Sequence, residues 1–235
     1  HVASRDSFAW TIASVRGTFA HKAIEILINT RTPRSPGEYV DDALDRIVES
    51  ERGTASDFIA SLSPGEQADL RSQVVDLVTK YEDSFPKLEM RWRPVVESNA
   101  KVELFGGAVV MSTRADLVIG APGSKVIIDI KSSRIMASYR EDLRFYSLVE
   151  TLRSRQSPRL TATFSLETQR IDAEDVSLST LSVAVHRLVQ GAQLLHELDQ
   201  EKRAPSRRSG STCYWCPLAA TCNEGQGFLT GDRDA

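Results

Sequence analysis

The chain has 235 residues, of which 41% are hydrophobic and 26% charged, and its formal net charge is −3. This composition is typical of a globular protein that builds its own hydrophobic core, and the small acidic excess excludes a protein that coats nucleic acid by bulk positive charge. No apolar run approaches the roughly 18–20 residues of a membrane-spanning helix, so we expect no membrane partner.

The first third of the chain is predicted to be helical. Apolar residues recur at helical spacing over 17–28 and over 39–62, with an expected break near Gly53. The run SPGE at 63–66 is typical of a capping box with proline at the first helical position, so it predicts the start of a further helix. We therefore expect a helical insertion at residues 31–90.

Runs with the alternation of β-strands follow this helical region from about residue 91. Strands are predicted at 95–97, 100–105, 108–111, 115–119, 126–131 and 159–166, and helices at 139–152 and 178–198. The run at 126–131 is nearly all apolar, which suits a strand buried on both faces. This pattern predicts an α/β fold in which a mixed central sheet is flanked by helices.

We expect a single domain over residues 1–235, with its core sheet and helices at 91–200. A cysteine element is predicted at 201–224, where it begins with a polar linker over 201–211. The segment Gly225–Ala235 is expected to be a loose tail.

Three charged residues lie on two successive predicted strands. Asp129 and Lys131 are two residues apart at the end of the apolar strand, so they point to the same face. Asp116, on the preceding strand, can meet Asp129 across the pair. Carboxylates are ligands that magnesium or manganese prefers, and a lysine beside such an ion can orient an attacking water and offset developing negative charge.

Charged residues near strand ends often do no more than face water. Here the strand that ends in Asp129 and Lys131 is strongly apolar, and burial of unpaired charge is costly. This setting favours a functional site over a solvated surface. The sequence has no phosphate-binding Gly-Lys-Ser/Thr loop, which excludes an ATPase motor within these 235 residues.

The cysteines form a second candidate site. Cys213, Cys216 and Cys222 have the spacing C-x2-C-x5-C. An odd number of cysteines in ten residues is a poor disulfide framework and a better metal-ligand cluster. That interpretation favours a reducing compartment, and we expect a cytoplasmic location. The residues leave open whether the thiolates bind an iron–sulfur cluster, bind zinc together with a histidine, or remain free.

The order of these motifs resembles the RecB-like branch of the PD-(D/E)XK nuclease superfamily, over about residues 17–222. The family's first motif, G-x-x-x-H on an early helix, is matched by Gly17 to His21. Its second motif, an aspartate ahead of a turn, is matched by Asp116, and its D-x-K motif by Asp129 to Lys131. The resemblance implies a restriction-endonuclease-like core.

The family's fourth motif, Q-x-x-x-Y, is matched in part on the helix that follows the sheet motif. Tyr146 stands at the tyrosine position, whereas Asp142 stands where glutamine is usual. With Tyr146, we expect Arg140 and Arg144 to contact DNA through stacking and phosphate contacts. Glu97 resembles a family glutamate ahead of the sheet, but it fits a surface residue of its strand equally well.

By this resemblance the chain is a magnesium- or manganese-dependent deoxyribonuclease. His21, Asp116, Asp129 and the Ile130 carbonyl would hold the metal, and Lys131 would position the attacking water. The implied activity is exonucleolytic, on single-stranded DNA ends in repair, recombination or defence, beside a helicase or a CRISPR adaptation partner. The alternatives are a nuclease for RNA or branched junctions, and an inactive nucleic-acid-binding or adaptor subunit.

The cysteine spacing carries a resemblance of its own. Similar C-terminal triplets occur in AddB-type nucleases and in RecB-like nucleases associated with CRISPR, where they hold a [4Fe–4S] cluster. A fourth cysteine, upstream of the G-x-x-x-H helix, completes the four thiolates there. Only three cysteines are present in this sequence, so the implied cluster takes its fourth ligand from outside it.

Overall fold

The computed structural model describes residues 10–49, 55–216 and 218–231. Of these, Ile12–Val189 form one compact unit, and the described residues before Ile12 and after Val189 belong to a second. Each unit is described by itself. None of the described helices combines the length and hydropathy needed to cross a bilayer.

A five-stranded mixed sheet lies at the centre of the first unit. Its strands follow one another in chain order across the sheet, as β1 (Val95–Leu104), β2 (Val109–Ile119), β3 (Val126–Lys131), β4 (Leu160–Ser165) and β5 (Arg170–Asp175). All neighbours are antiparallel except β3 and β4, which are parallel and are connected through helix α5 (Ser138–Ser154). The predicted α/β architecture is confirmed.

The strand predictions are confirmed in place and corrected in number. The four short strands predicted before residue 120 are two long ones, β1 and β2, because the ladder between them continues through polar positions. They turn at Gly106 and Gly107, whose φ angles of 66° and 93° lie in the left-handed region that glycine adopts without strain. β5 was not predicted, since its residues RIDAED lack an apolar alternation and are largely exposed.

Within the described residues, four α-helices precede the sheet, namely α1 (Ile12–Asn29), α2 (Pro36–Glu49), α3 (Ala55–Ser61) and α4 (Pro64–Ser84). The last three occupy the predicted helical insertion, while the expected break near Gly53 lies outside the described residues. Behind α4, Phe85 stacks on Tyr81 with ring centroids 4.7 Å apart and meets Phe164 of β4 edge-on at 5.0 Å. This aromatic cluster joins the helical insertion to the sheet.

The second unit begins within α6 (Leu178–Asp199) and contains the cysteines. The residues 201–209 are exposed, as predicted for a polar linker. The loose tail predicted from Gly225 is wrong for its first half, because α7 (Asn223–Thr230) covers it. The Cys222 side chain accepts the Gly225 N–H at the start of α7, and Gly231 ends the helix with φ 76°. The helix was not predicted because it contains two glycines, which have low helix propensity.

The capping box predicted at the start of α4 is present and supports the first prediction. Ser63 accepts the Glu66 N–H, and the Glu66 carboxylate accepts the Ser63 N–H at 2.8 Å. Ser63→Ala removes the acceptor, so we expect the free energy of unfolding to fall by about 1 kcal/mol. Urea unfolding measures this change. Glu66→Gln, which keeps the reciprocal hydrogen bond, is the control, and an equal loss in both variants would contradict the assignment.

Candidate active site

The charged residues of the predicted motif gather where strands β2 and β3 part. The ladder between these strands ends at the pair Leu117 and Ile128, and Asp116 and Asp129 are the next residues on each strand. The Asp116 carboxylate accepts the backbone N–H of Ile130 at 2.6 Å. A side chain of β2 therefore satisfies a β3 amide that a β2 carbonyl would otherwise bind. The gap between the strands receives both carboxylates.

Helix α1 brings His21 to this gap. His21 Nδ1 lies 3.1 Å from Asp116 Oδ1. One turn earlier, a Cβ built on Gly17 would lie 3.1 Å from Ser132 Oγ, closer than most real Cβ contacts. The missing side chain thus lets α1 approach the residue that follows Lys131. The G-x-x-x-H spacing has a physical reason: glycine allows the approach, and histidine uses it one turn later.

Glu97, whose role the sequence leaves open, lies beside His21 and Asp116. The ligand atoms of the three side chains lie within 4.8 Å of one another. They line a cavity of about 10 Å³, roughly the room for one water-sized particle. Two carboxylates and an imidazole suit a divalent cation such as magnesium or manganese, so the donor set fits the metal that the resemblance implies.

A signal for Glu97 was present in the sequence. Val96 pairs with Leu117 and Ser98 with Ala115, so the register places Glu97 opposite Asp116. A hairpin centred on the Gly-Gly turn predicts this pairing by counting outward along both strands. Glu97 has a left-handed φ of 51°, an uncommon conformation for a non-glycine residue and one that often marks functional positions.

Asp129 and Lys131 form a second pair beside this group, with Lys131 Nζ 3.0 Å from Asp129 Oδ1. Burial raises the pKa of Asp129 to about 6, with the charge of Asp116 acting in the same direction against the opposing charge of Lys131. Burial would lower the pKa of Lys131, but the charge and hydrogen bond of Asp129, together with the charge of Asp116, raise it above its ordinary value. The Lys131 ammonium therefore stays charged, while the Asp129 carboxyl becomes protonated as the pH falls through about 6.

The other pair of the site behaves differently. Burial alone would raise the pKa of Asp116, but the hydrogen bond and charge of His21, with the Ile130 N–H, lower it below the usual range. Burial lowers the pKa of His21, but the hydrogen bond to Asp116 and the charges of the two aspartates together raise it above its ordinary value. Asp116 is therefore the more firmly ionised of the two aspartates, which suits a permanent metal ligand.

The residues predicted to contact DNA lie on α5, but two of them are already paired. Arg140 makes a two-point contact with Asp172, at 2.7 and 2.5 Å. Arg144 makes a similar contact with Glu174, at 2.7 and 2.5 Å. Tyr146 is half-buried and packs against the apolar cluster under α5. Phosphate contacts by the two arginines stay a prediction, and they require exchange with the β5 carboxylates.

The cysteines lie together in the second unit. Cys213, Cys216 and Cys222 line a cavity of about 400 Å³ that Arg207 and Glu224 also line. Cys213 accepts the Gly210 N–H and Cys222 the Gly225 N–H, both at 3.4 Å. Among the described residues, their three sulfurs do not form a set within 4.8 Å of one another. With three thiolates, the usual cluster set of four is one ligand short.

Comparison with known proteins identifies the family of the chain. The family model of the PD-(D/E)XK nuclease superfamily matches residues 4–223. No curated protein matches the chain. Among solved structures, a candidate exonuclease from Eubacterium rectale has 13% sequence identity and a TM-score of 0.54, over 92% of this chain and 76% of that one. Such a likeness shows the fold alone.

A second solved structure, described as SSO0001, also has 13% sequence identity. The match covers 94% of this chain and 89% of that one, with a TM-score of 0.39. This score is too low to carry an argument about the fold.

The raised pKa of Asp129 predicts that divalent metal binding depends on pH. A protonated carboxyl is a poor ligand, so affinity falls as pH falls through the pKa of about 6. Between pH 7 and pH 5 the ionised fraction falls about tenfold, and protonation of His21 acts in the same direction. Titration calorimetry with Mn²⁺ should show at least that loss in the wild type and a smaller one in Asp129→Asn. Equal affinities at the two pH values would contradict this assignment.

Proposed function

We propose that this chain, which belongs to the PD-(D/E)XK nuclease superfamily, is a magnesium- or manganese-dependent deoxyribonuclease. The observation that supports this proposal is that His21, Glu97 and Asp116 form one possible metal group beside the Asp129–Lys131 pair. A bound divalent cation would polarise the scissile phosphate and lower the pKa of an attacking water.

The side chains divide the remaining work. Asp116 stays ionised because His21 and the Ile130 amide donate to it, so it anchors the metal group. Asp129 adds a further carboxylate to the site, and it also orients the Lys131 ammonium through their hydrogen bond. Lys131 orients the attacking water and offsets the negative charge that develops on the phosphoryl oxygens.

The finer assignment rests on the resemblance of the motifs. Their order, from the helix with Gly17 and His21 to Tyr146, is that of the RecB-like branch, and the solved neighbour of similar fold is described as a candidate exonuclease. These support exonucleolytic hydrolysis of single-stranded DNA ends, in a cytoplasmic setting beside a helicase or a CRISPR adaptation partner. A fold does not by itself determine a substrate.

A second candidate function is an inactive nucleic-acid-binding or adaptor subunit. Asp142 at the usual glutamine position favours it. The engagement of Arg140 and Arg144 by acidic partners favours an adaptor role over nucleic-acid binding. The intact trio of Asp116, Asp129 and Lys131 opposes it, since a site without catalysis has no need of all three.

A cleavage assay separates these functions. End-labelled single- and double-stranded DNA and RNA are incubated with Mn²⁺, and we expect the wild type to degrade single-stranded DNA fastest. Lys131→Ala should lower the rate by about 100-fold or more, because a charge that stabilises the transition state is lost. The matched control is Lys101→Ala, which removes an exposed lysine of β1 paired with Glu103. Absence of cleavage by a folded wild type that binds Mn²⁺ would favour the adaptor.

For the cysteines we propose a [4Fe–4S] cluster whose fourth ligand lies outside these 235 residues. The common cavity and the amide donors to the sulfurs of Cys213 and Cys222 support it, and zinc is the alternative. The centre would hold the C-terminal element together and take no part in hydrolysis.

Metal analysis of anaerobically purified protein tests this proposal. We expect about four iron and four sulfide per chain, with Cys216→Ser lowering both and leaving the Mn²⁺ affinity unchanged. About one zinc per chain without sulfide would establish the alternative. A chain without iron or zinc would leave the thiols as ordinary reduced cysteines.

A further inference from the structure

We infer that Tyr139 is a positioning residue that holds the Lys131 ammonium in its working orientation, an assignment that rests on the proposed nuclease function. Tyr139 stands in the first turn of α5, two turns before the tyrosine of the family motif. The face of its ring lies over Lys131 Nζ, 5.0 Å from the ring centroid. At this distance a cation is attracted by the negative face of an aromatic ring.

The ring is itself held in place by a chain of hydroxyl contacts. The Tyr139 hydroxyl lies 3.3 Å from Ser133 Oγ. The Ser133 carbonyl accepts a hydrogen bond from Ser165 Oγ at 2.8 Å. Ser165 is fully buried and pairs with Lys131 across β3 and β4. The turn that follows Lys131 is therefore fastened to β4, and the ring is fastened to that turn.

Two contacts then hold the ammonium, namely Asp129 Oδ1 at 3.0 Å and the Tyr139 ring, whose centroid lies 5.0 Å away. They respond differently to a bound cation. A carboxylate that ligates a divalent ion shares its charge with that ion, which weakens its attraction for Lys131. An uncharged ring does not compete for the ion, so its attraction persists. Tyr139 would thereby keep the ammonium directed at the site if Asp129 served as a metal ligand.

Lysine labelling tests this without any need for catalysis. Metal-free and Mn²⁺-loaded protein are reductively methylated with formaldehyde and cyanoborohydride, and labelling of Lys131 is measured by peptide mass spectrometry against exposed Lys101. We expect Tyr139→Leu to raise the relative labelling rate of Lys131 several-fold, and more with Mn²⁺ present. Tyr139→Phe, which keeps the ring but loses the hydroxyl contact to Ser133, should lie between the two and closer to the wild type. Equal rates in the leucine variant and the wild type would overturn the inference.

Steady-state cleavage is the second measurement. Tyr139→Leu should lower kcat about tenfold with KM within about twofold, since the lysine acts in the transition state more than in binding. Tyr139→Phe, which keeps the ring without its hydroxyl contact, should restore most of kcat. Phe105→Leu, which removes an exposed aromatic elsewhere, should change neither constant. A phenylalanine variant as slow as leucine would overturn the inference. A wild type that cleaves nothing would instead remove the proposed function, and labelling would still decide the role of Tyr139.

Discussion

The concentration of buried negative charge where β2 and β3 part is the constraint on which the site depends. Carboxylates in such a place repel one another and lose hydration, so each requires a donor or a cation. Asp116 receives the His21 ring and the Ile130 amide, and Asp129 receives Lys131. A pKa of about 6 for Asp129 means that these donors do not fully compensate the charge. A divalent cation would supply what is missing.

The surrounding architecture keeps these groups together without contributing charge. Gly17 allows α1 to lie against the turn after β3, which brings His21 within reach of the sheet. On the helical insertion, the aromatic rings of Tyr81 and Phe85 reach Phe164 of β4. Apolar packing of this kind is indifferent to metal binding and to protonation. The unfavourable repulsion and loss of hydration are therefore confined to the few charged residues of the site.

Much of this structure follows from local sequence patterns, whereas the rest depends on contacts between residues far apart in the chain. The bounds of β3 and the capping box at Ser63 follow from patterns within a few residues. β5 escaped prediction because its register comes from pairing with β4 and its composition is polar. Glu97 and Tyr139 gain their meaning from partners, Asp116 and Lys131, that only strand register or tertiary packing supplies. Asp116, Asp129 and Lys131 could be proposed from spacing, and the place of Glu97 follows from counting along the hairpin. The contact of Tyr139 with Lys131 depends on tertiary packing, which no local pattern indicates.

The unpredicted strand β5 also changes the interpretation of the two arginines of α5. On the helix alone, Arg140 and Arg144 form a basic face suited to phosphate; with β5 in place, Asp172 and Glu174 occupy both guanidiniums. A carboxylate and a phosphate present similar paired oxygens to arginine, so one can replace the other with little change of geometry. Such an exchange gains little energy, because one anion is lost for each gained. Under the proposed function, affinity for a DNA strand would therefore come from the bound metal more than from the arginines of α5.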